Sequence, residues 1–166
     1  MALLRDFDKV LLASLILAGC IVSSVQARQD ISGVWYDDTG QGAVELAPCG
    51  GYICGHIVWL RQPFNINGEP LRDIYNPSPS LKQRSICGLP VIAGVRPQQD
   101  GSWDGGRIYD PKVGRTYNVA IVRLDGQRLR VIGYLGARLF GKSFVWHRAG
   151  DDIERCEVIN SPSRPG

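Results

Sequence analysis

The sequence predicts a small all-β protein, an antiparallel β-barrel that follows an N-terminal signal peptide. Three observations lead there. From Gly33-Val34-Trp35 to Phe144-Val145-Trp146-His147-Arg148 the chain is a run of short segments rich in β-branched and aromatic residues. Turn-forming residues separate these segments at roughly 8–12-residue spacing, the rhythm of an all-β barrel or sandwich. After residue 27 no stretch keeps a 3.6-residue apolar period long enough to require a helix, although one turn near Pro79–Arg84 fits.

The first 27 residues read as an export signal. Arg5 and Lys9 lie in a short polar start, Val10–Gly19 is almost wholly apolar, and Ser23-Ser24-Val25-Gln26-Ala27 has the small residues of a cleavage region. Even extended to Val22, the apolar run is shorter than the ~20 residues that a spanning helix needs. Two processing routes compete. Cleavage after Ala27 leaves a soluble periplasmic or secreted protein starting at Arg28. Leu17-Ala18-Gly19-Cys20 instead matches a lipobox, whose use would anchor the protein to a membrane through a lipid on Cys20. The continued apolar pair Ile21-Val22 and the good site just downstream favour the first route.

Residues 28–166 have the length of one domain: a barrel over 28–150 and a polar, proline-bearing, loose tail over 151–166. Removing residues 1–27 takes away two cations and two carboxylates, so the net charge stays at +3. The basic residues are spread along the chain. Without a basic stripe interleaved with aromatics, nucleic-acid binding is not expected.

The first strand covers Ile31–Tyr36 and the second Ala43–Ala47, with Asp37-Asp38-Thr39-Gly40 turning between them. A third covers Ile53–Leu60. Residues 61–80 break the pattern with Pro63, Gly68, Pro70, Pro77 and Pro79, a long connection that marks a functional loop. In Leu89–Val95 the composition is that of a strand, and Pro90 assigns it to an edge or a strand start. Gly106–Tyr109, Thr116–Leu124 and Leu129–Leu135 follow, the last two joined by the hairpin signal Asp125-Gly126. Ser143–Arg148 closes the set. Alternation offers Ile57, Trp59, Val119, Ile121, Leu129 and Val131 as inward-facing residues.

Beyond Cys20, four cysteines remain: Cys49, Cys54, Cys87 and Cys156. Three complete pairings are open to them. Cys49 and Cys54 flank a predicted hairpin turn, Gly50-Gly51-Tyr52-Ile53, which would set the two side chains opposite each other. Cys87 with Cys156 is the residual pairing, which only three-dimensional proximity could support. Zinc is the rival reading, but the paired C-x-x-C spacing of such sites is absent. No metal and no cofactor are expected.

For catalysis the residues offer little. His56 and His147 are the available neutral-pH bases, and both lie in strand patterns beside a tryptophan. A Cys87–His147 nucleophile pair is conceivable in space, but no full set of nucleophile, base and oxyanion donors can be named. The remaining polar set is Asp73, Asn76, Arg84, Asp104, Arg107, Asp110 and Tyr117. Asp73 and Asn76 suit turn capping, and Asp110-Pro111 a turn start. The functional reading makes Asp73, Asn76, Arg84, Arg107, Asp110 and Tyr117 a polar rim at the barrel mouth, with Arg84 or Arg107 meeting an acidic head group.

An ordered set of motifs spans roughly residues 31–148. It comprises Gly33-Val34-Trp35, Pro48-Cys49-Gly50-Gly51, Gly55-His56-Ile57-Val58-Trp59-Leu60, Asp73 with Asn76-Pro77, Cys87-Gly88-Leu89-Pro90, Gly105-Gly106-Arg107-Ile108-Tyr109-Asp110-Pro111, Gly114 with Tyr117, Gly133-Tyr134-Leu135-Gly136, and Trp146 with Arg148. In these the chain resembles the DUF2147 family of exported bacterial proteins. The resemblance implies a barrel similar to lipocalins and fatty-acid-binding proteins, and cleavage near Ala27. In such barrels the glycine of Gly-x-Trp accepts a close approach, the indole closes the bottom, and an arginine of the last strand stacks on it. Gly33, Trp35 and Arg148 fit those roles.

The expected function is binding of a small hydrophobic or amphipathic ligand, with membrane contact only if Cys20 is lipidated. Two alternatives stand beside it. One is a filled barrel that acts as a protein-interaction or envelope structural module through the 61–80 loop; the other is a hydrolase or isomerase.

Overall fold

The computed structural model describes residues 30–150 and 152–156. The predicted signal peptide, with Cys20, and the end of the tail lie outside the described residues. Eight strands follow one another: β1 (Gly33–Tyr36), β2 (Gly42–Cys49), β3 (Tyr52–Leu60), β4 (Pro90–Pro97), β5 (Trp103–Asp110), β6 (Arg115–Arg123), β7 (Arg128–Tyr134) and β8 (Lys142–Arg148). They close in sequence order into one antiparallel barrel, β1 pairing with both β2 and β8. Short 3-10 turns at Pro79–Leu81 and Arg138–Phe140 are the helical elements of the described residues.

Local chemistry sets the strand ends. Pro90, which has no N–H to give to a ladder, begins β4 opposite His56. Between β6 and β7 the Asp125 carboxylate accepts the Gln127 amide at 2.8 Å and pairs with Arg128 at 2.7 Å, holding the turn shut. Cys49 and Cys54 are disulfide-bonded across the β2–β3 hairpin, their Cα atoms 5.8 Å apart.

Side chains fill the lower barrel. Cross-strand register threads Trp35, Val44 and Ile57 into one inward row, and Trp103, Ile121, Val131 and Phe144 into another. Trp35, Val119, Ile121 and Leu129 are fully buried. Gly55 faces this core so closely that a Cβ there would lie 2.9 Å from Val44 and 3.0 Å from both Leu46 and Ile92. Only the glycine fits.

Trp59 departs from the inward face that alternation assigns it. Pairing slips between Ala43 and Val44, so Ile57 stands opposite Val44 while Trp59 stands opposite Ala43. This bulge carries the indole to the outer face, where it meets Tyr36 edge-on at 5.2 Å.

The bottom of the barrel is stoppered. Trp35 donates its indole N–H to the Ile31 carbonyl at 2.9 Å, and the Arg148 guanidinium lies 4.7 Å from the ring centroid. Arg148 also donates to the Ser32 carbonyl at 2.9 Å. Gly33 adopts φ 122°, and a Cβ there would sit 2.7 Å from the guanidinium, so glycine is required on both counts.

The start of the tail is tied down, against the loose tail expected. Cys156 is bonded to Cys87 in the β3–β4 loop, and its amide donates to the Val58 carbonyl at 2.8 Å. Arg155 grips Glu45 with two bonds of 2.6 and 2.8 Å. That bond, more than the accompanying charge attraction, holds the Glu45 carboxyl below its usual range. A folded-state pKa below the unfolded value gives stability that is present above the unfolded value and lost as pH falls through the folded one. Amide-exchange protection of Cys156 should therefore drop below about pH 4, while protection in β6 and β7 persists.

Candidate functional site

The strand directions put the Trp35–Arg148 stopper at one end and, at the other, the long β3–β4 loop with the β1–β2, β5–β6 and β7–β8 connections. β4 starts low, opposite His56, which leaves the last residues of β3 without a full β4 neighbour. The loop fills that notch. Residues 71–73 run beside 84–86, with Ile86 donating to Leu71 O at 2.9 Å and Asp73 donating to Arg84 O at 3.1 Å. Ile86, Cys87 and Leu89 are buried beneath it.

Three of the predicted rim residues meet here around a fully buried carboxylate. Asp73 Oδ1 accepts the Tyr109 hydroxyl at 2.6 Å. Its Oδ2 accepts Asn76 Nδ2 at 2.8 Å, Arg84 Nε at 2.9 Å and Arg84 Nη2 at 2.8 Å. Asn76 also donates to the Tyr109 hydroxyl at 3.1 Å, and its Oδ1 accepts the Ser78 amide. Burial, followed by the bond to Asp73, pushes the Tyr109 phenol up from its ordinary value. Every partner in the cluster is engaged, so it works as a clamp that fastens the loop to β5. Arg84 is held by Asp73, with its side chain 32% exposed.

The other predicted rim residues are placed apart from it. Arg107 pairs with Ala93 and Asn118, on the face opposite Ile108, and is exposed on the outer wall. Asp110 caps the β5–β6 turn by accepting the Lys112 amide at 2.9 Å. Tyr117 shares the inward register with Ile108 and is half-buried.

Tyr117 belongs to the upper inner wall, where side chains are only partly buried. Beside it on β7 is Gly133, where an added Cβ would meet nothing nearer than Ile108 and Tyr117, both at 4.0 Å. Phe144 of β8 stands opposite Val131 on the inward face yet is 38% exposed. The cause is the shortness of β1, which ends at Tyr36 opposite His147 and leaves the upper half of β8 without a strand neighbour on that side among the described residues. Ile108, Tyr117, Gly133 and Phe144 thus form a partly exposed upper wall, the bowl, above the buried core. At its lip, inward register also brings Lys142, opposite Gly133, and Arg115, opposite Asp110. Neither cation has an ion-pair partner among the described residues. The sequence signal for both is the period of two: Arg115 lies two residues before Tyr117 and Lys142 two before Phe144, a signal readable only once the inward face is known.

The outer wall of the described residues also carries clefts. One of about 640 Å³ is lined by Tyr36, Asp37, Asp38, Thr39, Gly40, Trp59, Arg61 and His147. Asp37 is engaged elsewhere: its Oδ1 accepts the Thr39 amide, the Thr39 hydroxyl and the Gln41 amide, and its Oδ2 lies 3.9 Å from Lys112 Nζ. His56 is exposed opposite Glu45. The bridge to Cys156 removes Cys87 as a thiol nucleophile. A second cleft, of about 480 Å³, is lined by Arg130, Ile132, Arg138, Leu139, Gly141 and Ser143.

A closed eight-stranded antiparallel barrel, stoppered at one end by a tryptophan–arginine pair, is a lipocalin-like barrel. The chain belongs to the family described as uncharacterized protein conserved in bacteria (DUF2147), whose model matches residues 33–148. Among solved structures it is similar to protein HP1028 from the human pathogen Helicobacter pylori, described as belonging to the lipocalin family. That likeness has a TM-score of 0.62 at 23% identity and covers 74% of this chain and 85% of that one, a similarity of fold. No curated protein matches the chain.

Proposed function

We propose that this chain is an exported carrier or sensor of a small amphipathic molecule with an acidic head, held in the bowl above the barrel core. The observation that carries the reading is the partly exposed inner wall of Tyr117, Gly133 and Phe144, where a Cβ added at Gly133 would meet its neighbours no closer than 4.0 Å. An apolar tail against these walls leaves the head at the lip, within the field of Arg115 and Lys142. Export is supported by the apolar N-terminal run and by the two disulfides, which persist in oxidising compartments.

The test is titration with a fluorescent fatty acid. Gly133→Leu is the informative variant, because its backbone needs no positive φ and its first added carbon is tolerated while the rest fills the bowl. Binding should fall at least about tenfold with melting temperature unchanged, and Lys142→Glu should weaken it by about the same factor. Equal affinity in all three proteins would place the ligand elsewhere.

A second reading rests on the long loop, where Phe64, Ile66, Ile74 and Tyr75 are each more than half exposed. With the lower barrel filled, this surface suits a protein-interaction or envelope structural module. Native mass spectrometry after gentle purification separates the two. A bound small molecule supports the first and a retained protein partner the second.

A further inference from the structure

The vacancy beside β8 has a second consequence. Arg148 donates its amide to Gln127 O on the β7 side, and Ala149 donates to Val34 O on the β1 side. Alternation along the strand therefore points the backbone groups of His147, Val145 and Ser143 toward β1. His147 finds Tyr36 there, but β1 ends at that residue. For Val145 and Ser143 no backbone partner lies on that side among the described residues. Phe144 on the inner face and Val145 on the outer face are exposed alike, at 38% and 36%, as expected where a neighbouring strand is missing on both faces.

We propose that the β8 edge from Lys142 to Val145 accepts an extended acidic peptide, which adds as a strand in the line that β1 leaves vacant. Main-chain bonds to Ser143 and Val145 would supply affinity, and alternate side chains would supply selection. Inward side chains of the guest fall beside Phe144, which calls for apolar residues. Outward ones fall over Val145 and its cross-strand partner Arg130, a cation with no carboxylate partner among the described residues. Lys142 stands at the end of the same edge. At the Lys142 end of the edge the cations Lys142 and Arg130 thus select carboxylates and disfavour both a basic peptide and a second copy of this edge, whereas Asp37 and Asp38 line the cleft beside His147 at the other end. A lysine at an edge also deters unspecific pairing, which makes the short Ser143–Val145 stretch a selective acceptor rather than a sticky one.

The probe is a short blocked peptide alternating glutamate and valine, added to the full chain carrying Cys20→Ser so that no lipid can attach at that residue. The amides of Ser143 and Val145 should shift and gain exchange protection, and a lysine–valine peptide should bind at least about tenfold more weakly. Val145→Pro should abolish the response while leaving β7–β8 pairing intact, because the lost N–H points away from β7. Arg130→Glu, which leaves the backbone untouched, should weaken the acidic peptide and strengthen the basic one. Val145→Pro should leave fatty-acid binding in the bowl unchanged, so this proposal and the bowl stand or fall separately. Unshifted Ser143 and Val145 amides at about millimolar peptide would overturn the proposal, as would affinity blind to peptide charge. Protection of the same amides that grows with protein concentration alone would overturn it in favour of pairing between two copies.

Discussion

Trp35→Ala should lower the unfolding free energy by about 3–5 kcal/mol, measured by denaturant titration with both disulfides intact. The indole is fully buried in the base of the barrel, and its removal leaves a cavity that the closed sheet around it cannot collapse to fill. Two further losses add to this. The Ile31 carbonyl loses its donor, and the Arg148 guanidinium loses the ring face 4.7 Å away. Trp35→Phe keeps a ring but not the N–H, and should cost less than half as much. A loss under about 1 kcal/mol for the alanine variant would show that the stopper does not hold the barrel shut.

Asp73→Ala should cost about 3 kcal/mol, with an effect concentrated in the loop. Removing the carboxylate leaves Tyr109, Asn76 and Arg84 facing one another without their acceptor. The Arg84 side chain is 32% exposed and can regain water, which keeps the cost at the lower end of the range for a broken buried pair. Loop release should appear as faster tryptic cleavage after Arg72, Lys82 and Arg84, while exchange protection in β6 and β7 changes far less. Asp73→Asn, which retains an acceptor oxygen but no charge, should fall between the two. Uniform destabilisation of every strand would instead mean that the clamp is part of the cooperative core.

Much of the strand order was legible because a half-buried strand writes its period of two into the sequence, as in Leu129–Val131 and Val119–Ile121. Pro90 marked the start of β4 because a residue without an N–H cannot sit in mid-ladder. Trp59 misled for a physical reason. A single bulge in β3 shifts the register, and nothing in Val58-Trp59-Leu60 announces it. The rim was legible only in part. Asp73, Asn76 and Arg84 do converge, but around one another, and Tyr109 completes them from a strand that is distant in sequence. Arg107 was misplaced because alternation does not say which face is inward, whereas Arg115 and Lys142 become visible once pairing with Asp110 and Gly133 fixes that face.

By itself the sequence determined an all-β chain with an apolar N-terminal run, its turns, its Gly-x-Trp motif and its four downstream cysteines, because each is a matter of residue type and near-neighbour spacing. Tertiary structure decided that the Cys87–Cys156 bridge ties the tail to the loop, that a buried carboxylate fastens that loop, and that the inner wall around Gly133 and Phe144 stays partly exposed. It also decided that β8 outruns β1. These features depend on where strands end relative to one another in a closed barrel, and that relation is set by packing between residues far apart in the chain.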